Sequence, residues 1–232
     1  MKTIGMLGGM SWESTTSYYV ALNEGVKKAM GEHHSAKIVL HSVDFEPIKK
    51  LQHEGEWDKT AVILGQAAKS VEAGGAEFLL ICTNTMHKVA PEIEAAINIP
   101  ILHIADATAE QLQRNNITKV GLLGTRFTMS QDFYKGRLIE KFGIDVVVPN
   151  EAQQAVVHDI IYGELCLGEI KDASREKYVE IIRDLHKQGA QGVILGCTEI
   201  ALLVQQEHTS VPLFDTTAIH SARAVELAIS EE

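Results

Sequence analysis

Three segments of the chain each occur twice, in the same order and at nearly constant spacing, and a chain duplicated in this way is constrained to fold as two similar units. Ile4-Gly5-Met6-Leu7-Gly8-Gly9 returns as Val120-Gly121-Leu122-Leu123-Gly124-Thr125, an apolar run ending in a glycine turn. Gly75-Ala76-Glu77-Phe78-Leu79-Leu80-Ile81-Cys82-Thr83-Asn84 returns as Gly189-Ala190-Gln191-Gly192-Val193-Ile194-Leu195-Gly196-Cys197-Thr198, a helix end followed by a strand and a polar tip. Ile99-Pro100-Ile101-Leu102-His103 returns as Val211-Pro212-Leu213-Phe214-Asp215. The offsets are 116, 114 and 112 residues. A Gly-Ala pair before a strand is common in α/β proteins, so the order and spacing carry the argument. The second pair sets Thr83 on Cys197, a hydroxyl against a thiol.

Within each half, short β-branched or leucine-rich runs alternate with longer segments of helical periodicity. The runs are 3–7, 37–41, 78–82, 101–104, 120–123, 145–148, 193–195 and 213–215, and the helical patterns are 15–30, 57–73, 131–142, 152–164 and 174–188. This alternation predicts an α/β fold, with two pseudo-symmetric domains each built on a parallel sheet flanked by helices. Parallel sheets bind ligands beyond the carboxyl ends of their strands, so the expected site is the interdomain cleft, with Thr83 and Cys197 at strand ends.

Composition narrows the function. The 232 residues are 45% hydrophobic and 22% charged, enough apolar content for a buried core. No run reaches the length of a membrane span, and the start reads as too short and glycine-broken for a signal peptide, so the expectation is a cytoplasmic protein with no membrane partner. A formal net charge of −10 without a basic patch argues against nucleic acid. Cys82, Cys166 and Cys197 form no close pair, which disfavours a disulfide framework or structural zinc. Ten histidines lack metal-ligand spacing, so no metal is expected and they read as solvated or singly hydrogen-bonded.

The candidate residues each admit a plain structural reading beside the chemical one. Cys197 follows a strand and precedes a helix predicted to start near Thr198, whose N-terminus would stabilise a thiolate; the plain reading is a small buried hydrophobe. Thr83, Asn84 and Thr85 offer hydrogen-bonding groups for an amino or carboxylate group, or caps for a helix predicted near Met86. Strand alternation puts Cys82 and Thr83 on opposite faces, and the repeat selects Thr83 for the cleft, leaving Cys82 to the core. Gly8-Gly9-Met10-Ser11 lacks the spacing of a nucleotide loop, but its glycines allow close approach of a small ligand and Ser11 can donate to it. Thr125 and Thr128 occupy the corresponding turn of the second half, as carboxylate donors or as turn caps.

On these residues the chain resembles the aspartate/glutamate racemase family, in the branch that works without pyridoxal phosphate. The likeness rests on Gly8-Gly9-Met10, Asn84-Thr85-Met86-His87, Gly124-Thr125 to Thr128 and Gly196-Cys197-Thr198-Glu199, and it spans nearly the whole chain. The resemblance implies an isomerase with no cofactor, a small acidic amino acid as its molecular partner, and a homodimer. It also implies a late crossover, giving a first domain of residues 1–101 plus 212–232 and a second of 102–211. Asn84, Thr85, Thr125, Thr128 and Thr198 would hold the amino and α-carboxylate groups, with Met10, Ser11 and Glu199 completing the substrate-binding set. Glu199 resembles the aspartate branch, where glutamate racemases carry His.

In this family two cysteines flank the α-carbon, whereas here Thr83 stands where the first is expected. An alkanol is a far weaker acid than a thiol, so the expected mechanism is unequal: Cys197 takes the α-proton of the L-enantiomer and Thr83 delivers one to the opposite face, favouring L to D. A second departure lies near Cys166, where some aspartate racemases carry lysine, so recognition of the distal carboxylate is not fixed by the motif. Two rivals remain open: a single-thiol decarboxylase or cis-trans isomerase of a small diacid, and a non-catalytic acidic-amino-acid binding protein.

Overall fold

The computed structural model describes residues 1–230. The chain divides into two compact units, one containing residues 1–104 with the C-terminal segment from His220, the other Ala105–Ile219. In the first unit the elements run β1 (Ile4–Gly8), α1 (Trp12–Met30), β2 (Ile38–Ser42), α2 (Phe45–Glu54), α3 (Trp57–Ala73), β3 (Phe78–Ile81) and α4 (Ala90–Ala96). A 3-10 turn, Thr85–Val89, separates β3 from α4. Then follow α5 (Ile104–Arg114), β4 (Lys119–Gly124), α6 (Arg126–Ser130), α7 (Asp132–Phe142), β5 (Asp145–Val147) and α8 (Glu151–Gly163). The chain closes with α9 (Asp172–Lys187), β6 (Val193–Gly196), α10 (Ile200–Leu203), β7 (Leu213–Asp215) and α11 (Thr216–Ile229).

Both sheets are wholly parallel, ordered β2-β1-β3 in the first unit and β5-β4-β6-β7 in the second. The sequence repeat is expressed in strand register. Gly5 pairs with Leu79 and Gly121 with Val193, so offsets of 116 and 114 carry one pair onto the other. Leu79 also bridges Ile101 as Val193 pairs with Leu213, which reproduces the offset of 112. Thr83 and Cys197 therefore occupy equivalent positions, each just beyond the end of the strand beside the glycine-turn strand.

The alternation of the strands sorts the first core into two layers. Ile4, Met6, Phe78, Leu80 and Cys82 pack on one face with Tyr18 and Leu22 of α1 and Ala224, Val225 and Ala228 of α11. Leu7, Leu79 and Ile81 pack on the other with Ile48, Leu64, Ala68, Val71 and Ile93 from α2, α3 and α4. Residues two apart share a face because strand side chains alternate. The second unit has its own core, built around Leu123, Val193, Leu195, Tyr178 and Ile182. Fully burying a side chain of this size contributes about 1.5–3 kcal/mol, so these layers hold the strand ends in place.

Two expectations need correction. The run 101–104 is a single bridge rather than a strand, because the chain turns into α5 at Ile104. The division expected at residue 212 falls at His220, because β7 pairs with β6 and belongs to the second sheet. No helix among the described residues is long and apolar enough to cross a membrane.

Candidate active site

In the first unit the tips of β1 and β3 supply the polar residues. Gly9 adopts φ +93 and lies so close to the next loop that a Cβ there would stand 2.3 Å from the Val43 carbonyl oxygen. Its N–H donates to Thr15 Oγ1 at 2.8 Å. Met10 and Ser11 follow, both buried. Ser11 caps α1, its Oγ accepting from Ser14 N at 3.3 Å, so the plain capping role holds for it.

At the β3 tip Thr83 keeps partial exposure, whereas Asn84 and Thr85 are buried. Cys82 is fully buried on the α1/α11 face, and burial pushes its thiol far above the ordinary range, which leaves it inert. The helix predicted near Met86 begins as the 3-10 turn at Thr85.

Behind Thr83 lies a cluster that residue spacing did not reveal. His87 is buried; its Nδ1 lies 2.8 Å from the Thr83 carbonyl oxygen and its Nε2 3.2 Å from the Ile104 N–H. A carbonyl can only accept and an amide N–H can only donate, so the ring is neutral with its proton on Nδ1. His103 packs against it at 4.4 Å between ring centroids, and His220 stands at 6.2 Å. In His220 the Leu102 carbonyl at 2.7 Å fixes a proton on Nε2, and because burial keeps the ring neutral its Nδ1 accepts from the Tyr18 hydroxyl at 2.8 Å. Burial lowers the His220 pKa to about 4, and burial with His103 and His220 lowers that of His87 well below the usual range. These histidines are not solvated, contrary to the reading from spacing.

One further group in this unit is conspicuous. Gln52 of α2 is buried, and neither amide atom has a hydrogen-bond partner. Leaving such a group unsatisfied costs about 1–3 kcal/mol, so it marks a place where a polar group of a ligand or a water molecule fits. Ile48, one turn earlier on the same helix, shares its core layer with Met10.

In the second unit Thr125 caps α6 and lies 3.2 Å from the Thr128 hydroxyl. The Thr128 methyl fills the space where a Cβ on Gly124 or Gly196 would stand, at 3.2 and 3.5 Å. Thr128 thereby packs against the glycine ends of β4 and β6, and Gly196 directly precedes Cys197. Around that cysteine the side chains converge on a buried carboxylate. The Cys197 thiol donates to Glu199 Oε2 at 2.9 Å, the Thr198 hydroxyl donates to the same oxygen at 2.7 Å, and Cys166 Sγ reaches Oε1 at 4.0 Å.

This environment reverses the expected electrostatics. Burial, then the Glu199 carboxylate and Cys166, push the Cys197 thiol well above its ordinary range. The helix that follows, α10, has four residues with Glu199 at its cap, so it offers little dipole against a full negative charge. The sulfur holds its proton and points it at a base. The residues that sequence reasoning missed here are Glu199 as the thiol's partner and Cys166 as its second neighbour. Glu199 stands two positions from the thiol and was legible, but was read only as a substrate contact.

Each structural unit thus carries half of the expected residue set: Met10, Ser11, Thr83, Asn84 and Thr85 in the first, Thr125, Thr128, Cys197, Thr198 and Glu199 in the second. Comparison with known proteins gives this arrangement a context. A crystal structure from Yersinia pestis, described as a candidate Asp/Glu racemase, is 54% identical, with a TM-score of 0.92 over 99% of this chain and 100% of that one. An aspartate racemase homologue from Pyrococcus horikoshii OT3 is 36% identical, with a TM-score of 0.84 and coverage of 99% and 100%. The broad specificity amino-acid racemase RacX of Bacillus subtilis is 24% identical over 224 residues, 93% of each chain.

The repeated α/β units, each ending its inner strand in a polar tip, define the class as the two-domain racemase fold, and the enzyme is an isomerase. The chain belongs to the Asp/Glu/hydantoin racemase family, whose model matches residues 7–224.

Proposed function

We propose that this racemase acts on aspartate or glutamate, that Cys197 removes the α-proton of the L-enantiomer, and that the Thr83 hydroxyl protonates the opposite face. The observation that carries this reading is the Cys197 thiol directed at the buried Glu199 carboxylate, 2.9 Å away. The register that sets Thr83 at the equivalent position of the first unit supports the pairing of the two residues.

The chemistry follows from the charges. Glu199 takes the thiol proton and becomes a neutral acid, while the substrate ammonium supplies the counter-charge that stabilises the negative charge now on sulfur. The thiolate then forms the S–H bond to the α-proton, and the Cα–H electron pair moves into the α-carboxylate as an enediolate. Hydroxyls of Thr125 and Thr128 are the donors suited to that developing charge, joined by Thr198 once protonation of Glu199 releases its hydroxyl, and such donors are commonly the largest single term in catalysis of this kind. Thr83 Oγ1–H delivers its proton to the other face and recovers one from water, while Glu199 returns its proton to water. Gln52, whose amide is buried without a partner, offers the first unit's donor capacity for a second carboxylate, as the buried Ser221 hydroxyl also does. Because an alcohol is a poor base, D to L is the slower direction.

The test is α-proton exchange. L-aspartate, L-glutamate and neutral amino acids are incubated in D2O and the α-signal is followed by NMR for the wild type and for Cys197→Ala. The proposal predicts exchange and inversion for the acidic substrates, and loss of about 10²- to 10⁴-fold or more in the variant. Near-wild-type turnover in Cys197→Ala overturns it. Absence of α-proton loss for every amino acid would favour a binding protein, and consumption of maleate or a substituted malonate would favour the single-thiol rival.

A further inference from the structure

We propose that His87 is a positioning residue for Thr83, a buried imidazole clamp that fixes the backbone carrying the Thr83 hydroxyl and so sets its aim at the α-carbon. The inference rests on the proton-donor reading of Thr83 given above. Thr83 lies beyond the last residue of β3, where the sheet ladder no longer constrains it. A β-branched side chain is stiff about its first torsion, so the direction of Thr83 Oγ1 follows its backbone.

That backbone is held from behind. His87 Nδ1–H donates to the Thr83 carbonyl at 2.8 Å, and His87 Nε2 accepts the N–H of Ile104 at 3.2 Å. Ile104 is the first residue of α5, where helical N–H groups lack intrahelical partners, so one ring satisfies a helix end and a strand tip together. A ring flipped about its Cβ–Cγ bond would set Cδ2 against the carbonyl and Cε1 against the amide and lose both hydrogen bonds, which leaves one orientation only. His103 packs on this ring, and His220, anchored to Leu102 and Tyr18, stands behind it. The clamp therefore joins β3 to the segments at 102–104, α11 and α1.

The second unit has no counterpart. The offset of 114 sets Ala201 opposite His87, and there the Cys197 carbonyl accepts from the Ile200 N–H at 3.1 Å. The clamp belongs to the side that carries the alcohol. A hydroxyl that must deliver its proton to one face of carbon depends on direction, and a misplacement of 1 Å can cost about 10²-fold.

The test separates aim from folding. L-glutamate and L-aspartate are followed in D2O, and the initial rate of D-enantiomer formation is divided by the initial rate of α-deuteration of the L-enantiomer. Exchange needs only Cys197, whereas inversion needs Thr83 as well. His87→Leu lowers this ratio by about tenfold or more. His87→Asn, whose Nδ2–H can stand where Nδ1–H stands, restores it to within about threefold of wild type although it gives up the Ile104 contact. A structural role alone would lower both rates in proportion. The proposal is overturned if the ratio in folded His87→Leu equals that of wild type, or if His87→Asn is as low as His87→Leu. Should His87→Leu fail to fold, His87→Gln takes its place, since its amide reaches the Nε2 position and not Nδ1. A Thr83→Ala control that still inverts at the wild-type ratio overturns the reading of Thr83 itself; lost inversion there with an unchanged ratio at His87 overturns only the clamp.

Discussion

Acidification should loosen the first unit before carboxylates titrate, because His220 is folded into it as a neutral ring. The ring is fully buried, gives its one N–H to Leu102 and accepts from Tyr18. Burial lowers its pKa from 6.5 to about 4. In the unfolded chain the ring protonates near pH 6.5, so between the two values the unfolded state binds a proton that the folded state refuses. Stability from the neutral ring is complete above the unfolded value and is lost as pH falls toward the folded one. Linkage gives a loss of about 2 kcal/mol at pH 5 and about 3 kcal/mol at pH 4. His87, with a pKa depressed by burial and by His103 and His220, adds a change of the same sign. Asp215 runs the other way, its pKa raised by burial, but it lies in the second unit. The assay is selective because Trp12 and Trp57, the chain's two tryptophans, both lie in the first unit. Urea unfolding followed by their fluorescence has a slope of about 1–3 kcal/mol/M, so a loss of about 2 kcal/mol lowers the midpoint by about 1 M between pH 7.5 and 5. In His220→Gln the midpoint falls by about 1 M less over the same interval, whatever its starting stability. Equal falls in the two proteins would refute the reasoning.

Three further outcomes follow from the sites. Glu199→Gln keeps an acceptor for the Cys197 thiol but cannot take its proton, so kcat falls by about 10²-fold with a smaller change in KM, measured by steady-state polarimetry. Thr83→Cys replaces the weak base by a tunable one and raises the D-to-L rate; an unchanged or lower rate counts against the unequal mechanism. Gly9→Ala drives a methyl to within 2.3 Å of the Val43 carbonyl oxygen at φ +93, and its thermal unfolding midpoint drops by the equivalent of about 2 kcal/mol or more.

The sequence disclosed what is local or periodic. Offsets between recurring segments became strand register, because a conserved spacing between glycine turn and strand tip fixes which residues can pair. The alternation that separated Cys82 from Thr83 became the division between two core layers on either side of β3. Helix α5 was missed because the run at 101–104 passes into it at Ile104, so its first apolar residue read as strand; the run at 213–215 is β7 as expected, and only the helix after it, α11, was passed over. The histidine cluster was invisible because its members come from the β3 tip, the segment before α5, and α11, and no periodicity links 87, 103 and 220. The state of the Cys197 thiol was misread because Gly-Cys-Thr-Glu at a strand end announces a helix, and the sequence did not reveal that this helix would span four residues with its glutamate turned back on the sulfur.

The two equivalent strand tips differ in their electrostatic surroundings, and this bears on how unequal catalysis can be built from a duplicated fold. Near Cys197 a negative charge at 2.9 Å raises the thiol's pKa, so its ionisation depends on a neighbouring cation. Near Thr83 the backing groups are neutral imidazoles whose hydrogen bonds are already committed, so they supply neither charge nor a base. On the proposed chemistry the first arrangement gates proton removal on the arrival of an ammonium group, while the second only directs a donor. A substrate lacking the α-amino group would then bind at the hydroxyls without generating the thiolate. If the proposal holds, the direction of turnover is set by which tip contains the ionisable atom, and the geometry behind the other tip tunes the rate of inversion without reversing that preference.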